Sequence, residues 1–113
     1  MTNHLAALTA LADPTRRAIF ERLAQAPSPV GELARDLPVS RPAVSQHLKV
    51  LKAAGLVSER RDGTRRLYLA RQDEMHKLRD FLDDYWTTGL ERLRDVAEAA
   101  QRNKGATDGR AHP

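Results

Sequence analysis

Between Ser40 and Gly55 the chain carries a start signal, a stop signal and two chemically unlike faces, and a helix is the structure that accommodates all three. The Ser40 hydroxyl suits the N-cap position, where it satisfies a backbone N–H of the first turn. Pro42 falls in that turn, where a missing N–H costs little. Gly55 can adopt the left-handed conformation that closes a helix. Val44, Leu48 and Leu51 share one face with Gly55 in line behind them, while Pro42, Ser45, Gln46, Lys49 and Ala53 point away. Arg41 flanks the outward face. Arg and Gln are side chains suited to guanine and adenine edges in a DNA major groove, and the small residues between them permit close approach. A solvated surface helix has the same pattern, so the residues that follow must decide.

After Gly55 the period changes from helical to alternating. Residues 56–61 and 64–69 read as two strands about Asp62-Gly63, a pair favoured where both central residues of a hairpin need positive φ. Arg60, Arg61, Arg65 and Arg66 crowd the tip, where four like charges repel one another unless an anion relieves them. A basic hairpin directly after such a helix is expected to act as a wing that meets a phosphate backbone or minor groove.

Charge distribution agrees. Within a net charge of +4, residues 40–71 hold eight Lys/Arg against two acids, and residues 72–100 hold four against eight. Basic charge gathered on one segment is the footprint of a polyanion partner, although a solvated basic segment looks the same. The absence of cysteine excludes disulfides, thiolate metal sites and cysteine nucleophiles. No nucleophile–base pair or carboxylate dyad shares a plausible pocket, so the chain is not expected to be an enzyme. No run approaches the roughly 20 apolar residues needed to span a bilayer, and a cytoplasmic protein without a membrane partner is expected.

Upstream, Asn3–Ala12 places Leu5, Leu8 and Leu11 at helical spacing on an alanine background. Asp13-Pro14 opens a second helix to about Ala26, with Ala18, Ile19, Leu23 and Ala26 inward and Arg16, Arg17 and Arg22 in solvent. Pro27-Ser28-Pro29 breaks the chain, and Ser28 is expected to cap a third helix over Val30–Leu37. That helix, the turn at Pro38-Val39 and the helix after Ser40 make a helix-turn-helix. Downstream, residues 72 to about 102 keep a three/four spacing through Met75, Leu78, Phe81, Leu82, Tyr85, Trp86, Leu90, Leu93 and Val96. This stripe and the apolar first helix exceed what so small a domain can cover, and a second copy is the economical partner, through Leu5, Leu8, Leu78, Leu82, Tyr85, Trp86, Leu90 and Leu93. Thr87-Thr88-Gly89 is a place where the helix could bend. Residues 1–102 are read as one domain, and 103–113 as a disordered tail.

With Ala-Val-Ser-Gln-His-Leu-Lys-Val-Leu (43–51), Ala-Gly-Leu-Val (54–57), Arg-Arg-Asp-Gly-Thr-Arg-Arg-Leu-Tyr (60–68), Leu-Ala-Asp-Pro-Thr-Arg-Arg-Ala-Ile (11–19) and Val-Gly-Glu-Leu-Ala-Arg-Asp-Leu (30–37) in order, the chain resembles the ArsR family over roughly residues 5–100. These are bacterial dimeric winged-helix repressors. The resemblance implies a mainly α fold with a small β-hairpin, a winged helix-turn-helix dimerising through its first and last helices. It makes 41–54 the recognition helix and puts Ser40, Arg41, Pro42, Ser45, Gln46 and His47 closest to DNA. Lys49, Lys52 and the wing arginines Arg60, Arg61, Arg65 and Arg66 would hold phosphates of a pseudo-palindromic double-stranded operator. His47, on the boundary of the two faces, is as well suited to packing as to a DNA contact.

Many members of that family sense metals, and here the sequence departs. Residues 30–37 lack a cysteine motif, and Asp73 and His76 have no second histidine further along the last helix. No metal or other cofactor is expected, which places the chain nearer the metal-independent branch. Two other functions stay open at this stage. One is a protein–protein module whose basic face meets an acidic protein; the other is a sensor repressor with a ligand pocket near the dimer helices.

Overall fold

In the computed structural model, helix α1 (His4–Ala12), α2 (Pro14–Gln25), α3 (Val30–Asp36) and α4 (Arg41–Ala53) precede a hairpin of β1 (Val57–Asp62) and β2 (Arg65–Ala70), and α5 (Gln72–Ala111) closes the chain. The structure describes residues 4–111, with side chains for residues 4–103. Two parts separate by packing, Met1–Leu78 and Arg79–Pro113.

The first part is built around α4. Ser40 caps it as the spacing predicts, its hydroxyl accepting from Ala43 N at 3.2 Å, and Gly55 leaves it with φ of 81°. Val44, Leu48 and Leu51 face inward at 2% exposure or less, joined by Ile19, Leu23, Leu33, Leu56, Val57 and Leu67. Phe20, not Ala26, completes the inward side of α2, because Gln25 already ends that helix and leaves Ala26 extended and exposed. Asp13 opens α2 by accepting from Arg16 N at 2.9 Å. That bond is the main reason its carboxyl titrates below the ordinary 3.8. Arg16 and Arg22 are not simply solvated: Arg16 Nε donates to Ala10 O at 2.8 Å, and Arg22 Nε pairs with Asp36 at 3.1 Å.

Ser28 does not cap α3. Pro29 holds the N-cap position and its carbonyl accepts from Glu32 N and Leu33 N. Ser28 is fully buried and exchanges two backbone hydrogen bonds with Tyr68 of β2, at 3.1 and 2.9 Å. The physical reason lies in the flanking prolines. Neither has an N–H, so Ser28 is the one residue of the Pro-Ser-Pro run able to both donate and accept along a strand edge. This bridge fixes the hairpin to the start of the helix-turn-helix.

The hairpin turn is also one residue later than the Asp-Gly pair implied. Asp62 pairs with Arg65, leaving Gly63-Thr64 as the loop. Only Gly63 has positive φ, at 66°, the sign required at the first central position of a type II′ turn.

In α1 the small residues, not the leucines, face inward. Ala7 and Ala10 are buried, while Leu5 is 74% and Leu8 36% exposed. A helix that packs on alanines can approach its neighbours closely and leaves its larger apolar groups outside. Leu78 behaves in the opposite way. It is 3% exposed and belongs to the first part's own core, because the opening turns of α5 complete that core. Its expected place in a dimer interface is thereby corrected.

In the second part α5 is continuous through Thr87-Thr88-Gly89 and carries on past Asn103, where the sequence had suggested a structureless tail. Tyr85, Trp86, Leu90, Leu93 and Val96 are all more than half exposed, and Leu82 is half-buried. No described helix is long and apolar enough to cross a membrane.

Candidate nucleic-acid interface

The core stripe of α4 decides what its other side presents. With Val44, Leu48 and Leu51 turned inward, Ser40, Arg41, Pro42, Ser45, Gln46, Lys49 and Lys52 are exposed. His47 is half-buried and lies near enough to Asp13 to act on its charge. It therefore sits toward the α2 cap, on the flank of the outward face and not at its centre.

The bridge from Ser28 to Tyr68 brings the hairpin beside α3 and α4. Between them lies an open groove of about 920 Å³, lined by Arg41 and Ser45 of α4, Arg61, Arg65 and Arg66 of the hairpin, and Gly31, Glu32 and Arg35 of α3. Arg41 rests over Gly31: a Cβ built at Gly31 would stand 3.8 Å from Arg41 Nη1. The groove thus gathers five of the twelve residues that the sequence assigned to nucleic acid. Gln46, Lys49, Lys52 and Arg60 are exposed outside its lining.

The hairpin cations are not all alike, and part of the anionic relief that four like charges call for comes from the protein's own acids. Arg65 pairs with Asp62 at 3.6 Å and with Glu32 at 3.8 Å, and Arg66 pairs with Glu59 at 3.4 Å. Lys52, in the last turn of α4, also reaches Glu59. Arg60 and Arg61 make no ion pair among the described residues. Exposed pairs of this kind contribute little to stability, but they set which cations are already matched. The Lys52 ammonium hydrogen-bonded to Glu59 holds its carboxyl below the ordinary 4.5. Because the folded-state value is depressed, this clasp is complete at neutral pH and is lost only as pH falls through that lowered value.

Glu59, Glu32 and Ser28 escaped the reading of the sequence as participants. Glu59 carried a usable signal: it is one of only two acids among residues 40–71, and it stands beside Arg60 in a strand. Nothing in the chain marked Ser28 as a strand partner for Tyr68, since that contact joins distant residues.

Among the described residues, no group of three or more His, Cys, Asp or Glu is close enough to hold a metal ion.

Residues 11–60 match a family model described as a helix-turn-helix domain. Over 81 residues the chain is 65% identical to the HTH-type transcriptional regulator Rv2034 of Mycobacterium tuberculosis, covering 72% of this chain and 76% of that one. Among solved structures, it is similar to an ArsR-like transcriptional regulator from Rhodococcus sp. RHA1, with a TM-score of 0.81 and 33% identity over 86% of this chain and 92% of that one. A third likeness is to the homodimeric winged helix-turn-helix DNA-binding domain of Mb0332 from Mycobacterium bovis, a possible ArsR-family regulator. There the TM-score is 0.61 and the identity 30%, over 78% and 82% of the two chains.

Proposed function

Because the chain belongs to the ArsR family of winged helix-turn-helix transcriptional regulators, we propose that it is a homodimeric repressor that occludes a promoter by gripping a pseudo-palindromic operator. The observation that carries this reading is the groove in which Arg41 and Ser45 of α4 face Arg61, Arg65 and Arg66 of the hairpin. A helix with an Arg/Ser/Gln outer face suits a major groove, and cations flanking it suit the adjoining phosphates. In this reading Arg41, Ser45 and Gln46 meet base edges, with Ser40 and Pro42 at the entry of the helix. Lys49, Lys52, Arg60, Arg61, Arg65 and Arg66 meet the backbone, and His47 contributes at the edge of the contact.

Residues 1–102 form the DNA-binding and dimerising domain. A second copy covers Leu5 and Leu8 of α1 and Leu82, Tyr85, Trp86, Leu90 and Leu93 of α5, a reading supported by the exposure of all but the half-buried Leu82 and by the homodimeric state of the M. bovis domain. Two copies then present two recognition helices about 34 Å apart, one turn of duplex. The protein works in the cytoplasm, beside the chromosome, without a metal or catalytic step. Its own promoter is the first candidate site.

Selection of bound fragments from genomic DNA, followed by sequencing, tests the proposal: recovery of a common inverted repeat supports it, and recovery of no preferred fragment contradicts it. The wing supplies a quantitative check. Among the described residues Arg60 and Arg61 have no acidic partner to leave, so Arg60→Ala with Arg61→Ala should weaken binding to every duplex and make the slope of log K against log salt shallower by about two. Anisotropy titrations at several salt concentrations measure it, and an unchanged slope would remove both residues from the backbone contact.

A further inference from the structure

Glu59 lies on β1 opposite Tyr68 and reaches Lys52 in the last turn of α4. Its two oxygens serve two elements: Oε1 takes the Lys52 ammonium from α4, and Oε2 takes Arg66 Nε from β2. The acid is the least exposed of the three side chains, 25% against 52% for Lys52 and 55% for Arg66. A carboxylate held between two outward-facing cations occupies the electrostatic position that a backbone phosphate would take.

Both cations are among those assigned above to phosphates, and the inference rests on that reading. We propose that Glu59 is a built-in counter-ion of the DNA-binding face, a stand-in for phosphate that holds down the protein's affinity for duplex of any sequence. Binding is then an exchange. A duplex phosphate that reaches Lys52 and Arg66 meets a pair already matched by one negative charge, so two cations count as about one. The effect is independent of sequence, since phosphates carry no base information. It limits how much of the protein is held by bulk chromosome instead of by its operator.

The size follows from counter-ion release. One further neutralised phosphate changes the slope of log K against log salt by about 0.9, which amounts to about tenfold in affinity near 0.1 M salt. The test uses the full chain and a labelled duplex of random sequence, titrated by anisotropy between about 50 and 200 mM salt. Glu59→Gln should bind about tenfold more tightly than the unaltered protein and steepen the slope by about one. Glu21→Gln, the same charge change at an exposed position on α2 that takes no part in the Lys52–Glu59–Arg66 cluster, should shift affinity by less than about twofold, because salt screens exposed charges.

A second measurement separates this role from a structural one. In a Lys52→Gln, Arg66→Gln background, the gain from Glu59→Gln should fall to that of Glu21→Gln. If Glu59→Gln binds no more tightly than the unaltered protein, or its gain persists without its two partners, the counter-ion role is overturned while the DNA reading stands. If the unaltered protein binds no duplex at the lowest salt, the DNA reading fails and the inference fails with it.

Discussion

Replacing Trp86 and Leu90 together by Glu is expected to yield a monomer that still unfolds cooperatively but binds duplex DNA at least about a hundredfold more weakly. Both side chains are well exposed in the protomer, 65% and 57%, so charged replacements there bury nothing and the protomer fold has little to lose. In the proposed dimer the situation reverses. Isologous pairing places each substitution in the interface twice, so four carboxylates would be desolvated without partners. Exposed apolar surface of this extent on one helix is itself a sign of a missing partner. Losing the dimer removes simultaneous engagement of two half-sites, and linked sites commonly exceed single-site affinity by about 10²–10⁴-fold. Sedimentation velocity and anisotropy titration check the two halves of this expectation. A variant that stays dimeric would move the interface elsewhere.

The second large effect concerns stability. Leu51→Ala should cost about 2–5 kcal/mol, a substantial part of the roughly 5–15 kcal/mol available to a domain. Leu51 is fully buried beneath α4, and its backbone carbonyl also accepts from Leu56 N at 3.0 Å as the chain turns toward the hairpin. The cavity would therefore open at the seat of the recognition helix, between its last turn and the wing. Urea unfolding monitored by circular dichroism measures the loss. A cost below about 1 kcal/mol would mean that α4 does not depend on this anchor.

What could be read from the chain alone was mostly what is local. The cap at Ser40, the inward trio of α4 and the stop at Gly55 all depend on residues within a few positions of one another. The same is true of Asp13 and of the hairpin's existence. Errors arose where a distant partner decided the outcome. Ser28 looked like a cap and became a strand partner of Tyr68; the turn moved to Gly63-Thr64 because pairing of Asp62 with Arg65 set the register. Leucine spacing in α1 correctly marked an apolar helix, but the tight approach of that helix selected Ala7 and Ala10 for the interior. Leu78 and Phe81 share one stripe, yet Leu78 is buried and Phe81 is 40% exposed. Periodicity gives a face without saying what covers it. Charge reading had the same limit: counting arginines located the basic segment, and only the fold revealed that Glu59 and Glu32 already answer part of it.

The most direct test is the response of sequence preference to Gln46→Ala. Gln46 is exposed on the outer face of α4 and suited to an adenine edge. Binding of the unaltered and Gln46→Ala proteins would be compared on a duplex selected from genomic DNA and on a scrambled duplex of the same length. The reading of α4 as the helix that meets base edges predicts a loss of about 1–3 kcal/mol on the selected duplex, with binding to the scrambled duplex unchanged. Equal losses on both duplexes would contradict it.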